Sequence, residues 1–258
     1  MTMAVRTLEF ADPREAADLG AFLARLIHYD RAAAVRLQAG GGDAGGALAV
    51  FGRPASFEVL AIRTARLGAP HPAGAAADPL DVTVSAGQLL DSLDTPAAAG
   101  SGPAGRTTRT AAVPAAVTGP PWAGVLPPRG GWRQVPGLPG FDAVRRAVAA
   151  AVAEFRARDE QLAPGERTRA ARDRIGREIW SRTLGDTRLP LRAVHAAQSL
   201  GFLRPVRALV PAGGAPGAPV TPEPLALLES GGWLRLRTPY GSIAVRLAGL
   251  GGLTVTPA

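Results

Sequence analysis

The sequence contains no lysine, no cysteine and no asparagine, and aromatic residues make up only 5% of its 258 positions. Each absence removes chemistry. Without lysine there is no P-loop lysine, no Schiff-base catalyst and no anchor for pyridoxal phosphate. Without cysteine there are no disulfides, thiol nucleophiles, zinc fingers or iron–sulfur ligands. Long apolar runs are missing too. The longest, Ala147–Ala153, falls far short of the roughly 18–20 residues that a membrane-spanning helix needs. The first residues, Met1-Thr2-Met3-Ala4-Val5-Arg6, carry no apolar signal stretch, and Glu9 and Asp12 follow closely. The expectation is a soluble, cytoplasmic protein.

Alanine, glycine, proline and arginine fill the space instead, the bias that a G+C-rich genome imposes through its codons. All 29 basic residues are arginine, and against 21 acids they leave 29 − 21 = +8. Hydrophobic types reach 47%, enough for a core. At roughly 100–200 residues per domain, the length predicts one or two domains.

The clearest break in the chain runs over 95–140, which holds nine prolines, nine glycines, four arginines and no acid. It reads as a Pro/Gly-rich linker. Its second part carries Trp122 and Trp132 around Leu126-Pro127-Pro128-Arg129, so 120–140 is expected to pack on a folded domain. The layout expected is therefore α+β: an N-terminal domain over 1–94, the linker over 95–140 and a C-terminal domain over 141–258. Each lobe is read as helix plus small antiparallel sheet.

In the first lobe, Asp12-Pro13-Arg14-Glu15 reads as a helix start after a strand at Val5–Phe10, with Leu19, Phe22, Leu23 and Leu26 as its apolar stripe. Strands are expected near 32–38, 47–52, 57–66 and 82–84, the last leading to Ser85 as N-cap of a short helix through Leu93. In the second lobe three helices follow. Their apolar faces are Val144, Val148, Ala151, Val152 and Phe155; then Ala171, Ile175 and Ile179, ending at Gly185; then Leu191, Val194, Ala197 and Leu200, stopped by Gly201. Strands are expected near 206–210, 225–229, 233–238 and 242–247, with a loop over 211–224. Leu37-Gln38-Ala39-Gly40-Gly41 and Leu228-Glu229-Ser230-Gly231-Gly232 each precede a strand, a turn and a strand. That parallel raises a duplicated helix-plus-meander unit as one reading, and chance likeness in an Ala/Gly-rich chain as the other.

Motifs for catalysis are absent. Gly40, Gly42 and Gly45 match G-x-G-x-x-G, but a dinucleotide loop must open a helix, and Ala47–Phe51 reads as a strand. His28, His71 and His195 are far apart with no metal-ligand spacing, and no G-x-S-x-G elbow exists. Thr107-Thr108-Arg109-Thr110 is a conceivable phosphorylation target, and Leu126–Arg129 a conceivable proline-rich ligand. No cofactor and no metal are expected.

Charge is more informative. Residues 1–94 hold 8 arginines and 11 acids, net −3, and residues 95–258 hold 21 and 10, net +11. On the helices the arginines are interleaved with acids, as in Asp173/Arg177 and Glu178/Arg182 at i,i+4, which reads as a solvated, salt-bridged surface. The hairpin Trp233–Leu247 is different. If Arg237 pairs with Ser242 across a turn at Pro239-Tyr240, then Leu234, Leu236, Ile243 and Val245 share one face. Trp233, Arg235, Arg237 and Arg246 share the other, exposed one.

Three helices followed by this basic hairpin resemble the winged-helix family. The resemblance rests on the helix ending at Gly185, the helix Leu191–Leu200 and the Trp233–Leu247 hairpin as wing. It implies a third helix in the major groove, with Arg192, His195 and Ser199 at the DNA. The chain departs from that pattern in the long turn Gly185–Leu189 and in some thirty residues between helix and wing. The reading taken forward is a non-catalytic binding protein whose basic C-terminal lobe meets nucleic acid or another polyanion. Its candidate residues are Arg192, His195, Trp233, Arg235, Arg237 and Arg246. Two alternatives stay open: a protein–protein or self-association component, and a small-molecule enzyme built around His195 or His28.

Overall fold

The computed structural model describes residues 6–40, 46–68, 79–94, 109–205 and 225–247. The strand expected at 206–210, the loop 211–224, His71, Gly42, Gly45, Thr107 and Thr108 lie outside them. The fold is α+β, with antiparallel strands, and the chain divides into two compact units. The first comprises Met1–Leu126 with Ser199–Phe202 and Tyr240–Ser242. The second comprises Pro127–Gln198, Leu203–Pro239 and Ile243–Ala258. Among the described residues no helix is long and apolar enough to cross a membrane.

The first unit opens with β1 (Thr7–Phe10) and α1 (Pro13–Tyr29). Asp12 caps the helix, its Oδ1 accepting from the Arg14 amide at 2.7 Å, and Pro13 supplies a preset φ where no amide is needed. Leu19, Phe22, Leu23 and Leu26, spaced at three and four, are all but fully buried. Each contributes about 1.5–3 kcal/mol of apolar burial. Next come β2 (Ala34–Ala39), β3 (Ala47–Gly52), β4 (Leu60–Arg66), β5 (Leu80–Ser85) and α2 (Ala86–Asp94). The strand order is β5-β2-β3-β4, so β2 to β4 form a meander and β5 returns to the free edge of β2.

Two features of this unit were not legible as strands in the sequence. Arg109–Ala112 is β6 and pairs antiparallel with β1, Thr7 opposite Ala112. Farther on, Val84 bridges Ala116, the Val117 amide donates to Thr83 O at 2.9 Å, and Pro121–Gly124 makes one 3-10 turn. Arg36 holds that turn in place: it donates to Ala123 O and grips Asp81 with two nitrogens at 2.6 and 2.8 Å. Nearby in the core, Arg63 is buried. It donates to Tyr240 O at 2.6 Å and Asp18 Oδ2 at 3.1 Å, and lies 3.9 Å from Glu15.

The second unit contains β7 (Arg133–Val135), α3 (Phe141–Glu160), α4 (Arg169–Trp180), α5 (Leu191–Ser199), β8 (Ala226–Ser230), β9 (Trp233–Thr238) and β10 (Gly241–Arg246). Strand order is β10-β9-β8-β7. Both units thus add a fourth strand beside the first strand of a meander. In the first unit that strand follows the meander in sequence, and in the second it precedes it. α4 stops at Trp180, short of Gly185, because residues 181–190 fold into a compact turn. There the Leu184 amide donates to Leu189 O at 2.8 Å, Thr183 bridges Pro190, and Gly185 takes φ +54°.

Candidate nucleic-acid interface

The β8–β9 turn is Gly231-Gly232, both with positive φ (+52° and +77°), the two-residue loop whose twist suits adjoining strands. It sets the register. Trp233 lies opposite Ser230, Arg235 opposite Leu228 and Arg237 opposite Ala226. Leu228 in turn faces Gln134 of β7. Directly opposed residues point the same way, so Trp233, Arg235, Arg237, Leu228, Ser230 and Gln134 occupy one face. β9 alternates as a two-residue period requires: Leu234, Leu236 and Thr238 are buried, while Trp233, Arg235 and Arg237 are half-buried.

Trp132, one residue before β7, adds to this face. Its ring lies under Arg235, with the guanidinium carbon 5.7 Å from the ring centroid, a cation–π arrangement. The indole N–H donates to Pro128 O at 3.0 Å, and Ser230 Oγ donates to Gly130 O at 3.1 Å, tying 128–132 to the sheet. Sequence reasoning placed Trp132 on a packed segment but did not join it to the hairpin. The signal available was its position two residues before Gln134, at the start of an alternating run.

The hairpin turn is Pro239-Tyr240, with β9 ending at Thr238 and β10 starting at Gly241. The expected two-faced pattern holds in β9 and fails in β10, where Ser242, Ile243, Ala244 and Val245 are all buried and only Arg246 is exposed. The arginine face is therefore half-covered rather than open.

α5 carries the other two candidates. Leu191, Ala193, Val194, Ala196 and Ala197 are buried, so most of its circumference is core. Arg192, His195 and Ser199, which the winged-helix resemblance puts at the DNA, fall on its half-buried remainder. Arg192 is half-buried. His195 stacks on Trp180 with centroids 4.3 Å apart and planes at 18°. Burial pushes its imidazole pKa down, so the ring is neutral near pH 7 and brings no cation to an anionic partner.

The α3–α4 hairpin absorbs much of the remaining charge. Arg158 meets Glu178 at 2.5 Å, Arg182 meets Glu154 at 2.6 Å, Arg172 meets Asp159 at 2.7 Å and Arg169 meets Asp173 at 3.8 Å. Two of these pairs join α3 to α4 and a third ties α3 to Arg182 just past α4, while Asp173 pairs with Arg169 rather than with Arg177 as read from the sequence, and Glu178 keeps a longer-range attraction to Arg182. Hydrogen bonds from Arg182, Arg172 and Arg158 hold the Glu154, Asp159 and Glu178 carboxyls below their usual range. Residues 127–258 still carry 19 arginines against 10 acids, net +9.

Among the described residues no group of three or more His, Cys, Asp or Glu side chains converges on a metal position. Ala47–Gly52 is strand β3, not the helix a dinucleotide loop requires.

No curated protein and no solved structure matches the chain. Residues 3–124 match the family model described as Domain of unknown function (DUF8010), and residues 127–250 match the one described as Domain of unknown function (DUF8185).

Proposed function

We propose that the second unit binds single-stranded nucleic acid on the β7–β8–β9 face. One observation carries the reading: two tryptophans, Trp132 and Trp233, share that face with Arg235 and Arg237 in a unit of net charge +9. Indole rings give bases a surface to stack on, worth about 1–3 kcal/mol per base, and arginine forks take two phosphate oxygens at once. A sheet face suits splayed bases, whereas a duplex would call for a protruding helix, and α5 is mostly core. Arg246, exposed at the end of β10, and Arg192 complete the basic set, and His195 contributes packing rather than charge.

Fluorescence anisotropy with labelled single- and double-stranded oligonucleotides tests this. About three phosphate contacts to a single strand predict a salt slope near −2, or roughly a 15- to 20-fold loss of affinity on raising salt fourfold. Trp132→Ala is expected to weaken binding about tenfold. No binding at low salt, binding indifferent to salt, or a preference for the duplex would sink the proposal.

A further inference from the structure

The first unit contains a groove of about 420 Å³ on the sheet face that carries Arg36 and Asp81, with Asp30, Ala34, Arg53, Ser85, Thr118 and Trp122 in its lining. Its origin is visible in the strand register. Ala34 lies opposite Ser85 on one side, and Val35 lies opposite Gly52 on the other, so Arg53 flanks Ala34 directly. A row Arg53, Ala34, Ser85 therefore crosses the end of the sheet, with adjacent strands about 4.8 Å apart. Ala34, between them, contributes a small side chain to the floor and leaves the space open. The 3-10 turn stands on the same sheet face. The Arg36 clamp on Ala123 O and Asp81 fixes it there, and it carries Trp122 as one wall.

The lining has a definite chemistry. Arg53 is exposed and makes no ion pair within 4 Å among the described residues. The Ser85 side chain lies across Ala34 from it, Thr118 joins the lining, and Trp122 is half-exposed. Asp30, in the turn that leads into β2, accepts the Ala32 amide on Oδ1 at 2.9 Å and is itself exposed. A cation with hydroxyls across the floor from it suits an anionic group. An indole above the small Ala34 side chain suits a planar ring. A carboxylate in the same lining accepts from ring N–H groups. We infer that this groove binds a small anion joined to a planar, N–H-bearing ring, with a nucleoside monophosphate as the fitting class: phosphate on Arg53, base against Trp122, base N–H on Asp30.

The test is calorimetric titration of the full chain with the four nucleoside monophosphates, adenosine, benzoate and inorganic phosphate. At least one monophosphate is expected to saturate the protein. Arg53→Ala, at an exposed position that leaves the fold intact, is expected to weaken it about tenfold, the usual effect of losing one charge-assisted hydrogen bond. Trp122→Ala is expected to do the same with an unchanged melting temperature, and Asp30→Asn to reorder the preference among bases. Three results would overturn the inference: no monophosphate saturating by about 10 mM, inorganic phosphate or benzoate binding as well as the monophosphates, or Arg53→Ala leaving affinity unchanged. The lining residues are distinct from Trp132, Trp233 and Arg235, so Arg53→Ala should leave oligonucleotide binding intact, and Trp132→Ala should leave monophosphate binding intact. Failure of one proposal is thereby separable from failure of the other.

Discussion

Replacing Arg63 by methionine is the sharpest test of what holds the first unit together. The residue is 8% exposed, and its guanidinium serves Tyr240 O at 2.6 Å and Asp18 at 3.1 Å. Methionine matches its length and removes the charge. Two charge-assisted hydrogen bonds, at about 1.5–3 kcal/mol each, are lost. Several terms reduce that sum. Methionine gains about 1–2 kcal/mol of apolar burial. The Asp18 side chain, 33% exposed, can take up water, and Glu15 keeps its 2.8 Å bond to Arg66. What remains is a carbonyl without its donor and two carboxylates without their shared cation, the situation in which removing one partner costs most. We expect a net loss of about 3 kcal/mol. Urea unfolding at neutral pH measures it, and Arg63→Lys, which keeps the charge and one donor, should lose about half as much. A loss under about 1 kcal/mol for Arg63→Met would refute the reasoning, because the cluster would then be no better than an apolar contact.

Two further outcomes follow from the packing. Gly241 has φ +154°, and a Cβ there would sit 2.6–2.8 Å from the Phe202 ring, so Gly241→Ala should destabilise by about 2–3 kcal/mol in the same assay. A loss of a few tenths would mean that the ring moves aside freely. His195 has a folded pKa below its unfolded value, so its contribution is complete above the ordinary histidine pKa of about 6.5 and declines as pH falls through that value toward the folded pKa. His195→Phe, which preserves the stack on Trp180, should flatten stability over that interval. An unchanged pH profile would exclude burial of the imidazole as its cause.

Much of the fold was readable because local signals agreed with tertiary need. Asp12-Pro13 opens α1, and the period-three-and-four stripe of Leu19 to Leu26 is its buried face. The strand expected over 47–52 is β3 residue for residue, and Ser85 precedes α2. β6 and β7 were not readable. Arg109-Thr110-Ala111-Ala112 has almost no apolar pattern and becomes a strand only because β1 offers its edge, while Arg133–Val135 is three residues long and borrows its register from β8. At the basic face, the sequence identified the alternation of Trp233, Arg235 and Arg237. It did not reveal Trp132, whose place beside Arg235 depends on pairing across about a hundred residues. The groove was invisible for the same reason: Arg53, Ser85 and Trp122 converge only through strand order and the clamp by Arg36. In α5 the apolar face read from the sequence, Leu191, Val194, Ala197 and Leu200, is buried, and Ala193 and Ala196 widen it.

The bond from Arg63 to Tyr240 also orders events in time. It spans 177 residues, and the pairing of Thr7 with Ala112 spans 112 − 7 = 105. A ribosome emits the chain from its N-terminus, so β1 leaves long before its partner, and Arg63 long before the carbonyl that satisfies it. The first-made unit is therefore the one that must wait, its guanidinium without the Tyr240 carbonyl until residue 240 is synthesised. Contacts of such separation fold slowly and leave apolar surface exposed in the interval. Premature termination anywhere before Tyr240 would release a first unit still lacking one of its buried partners.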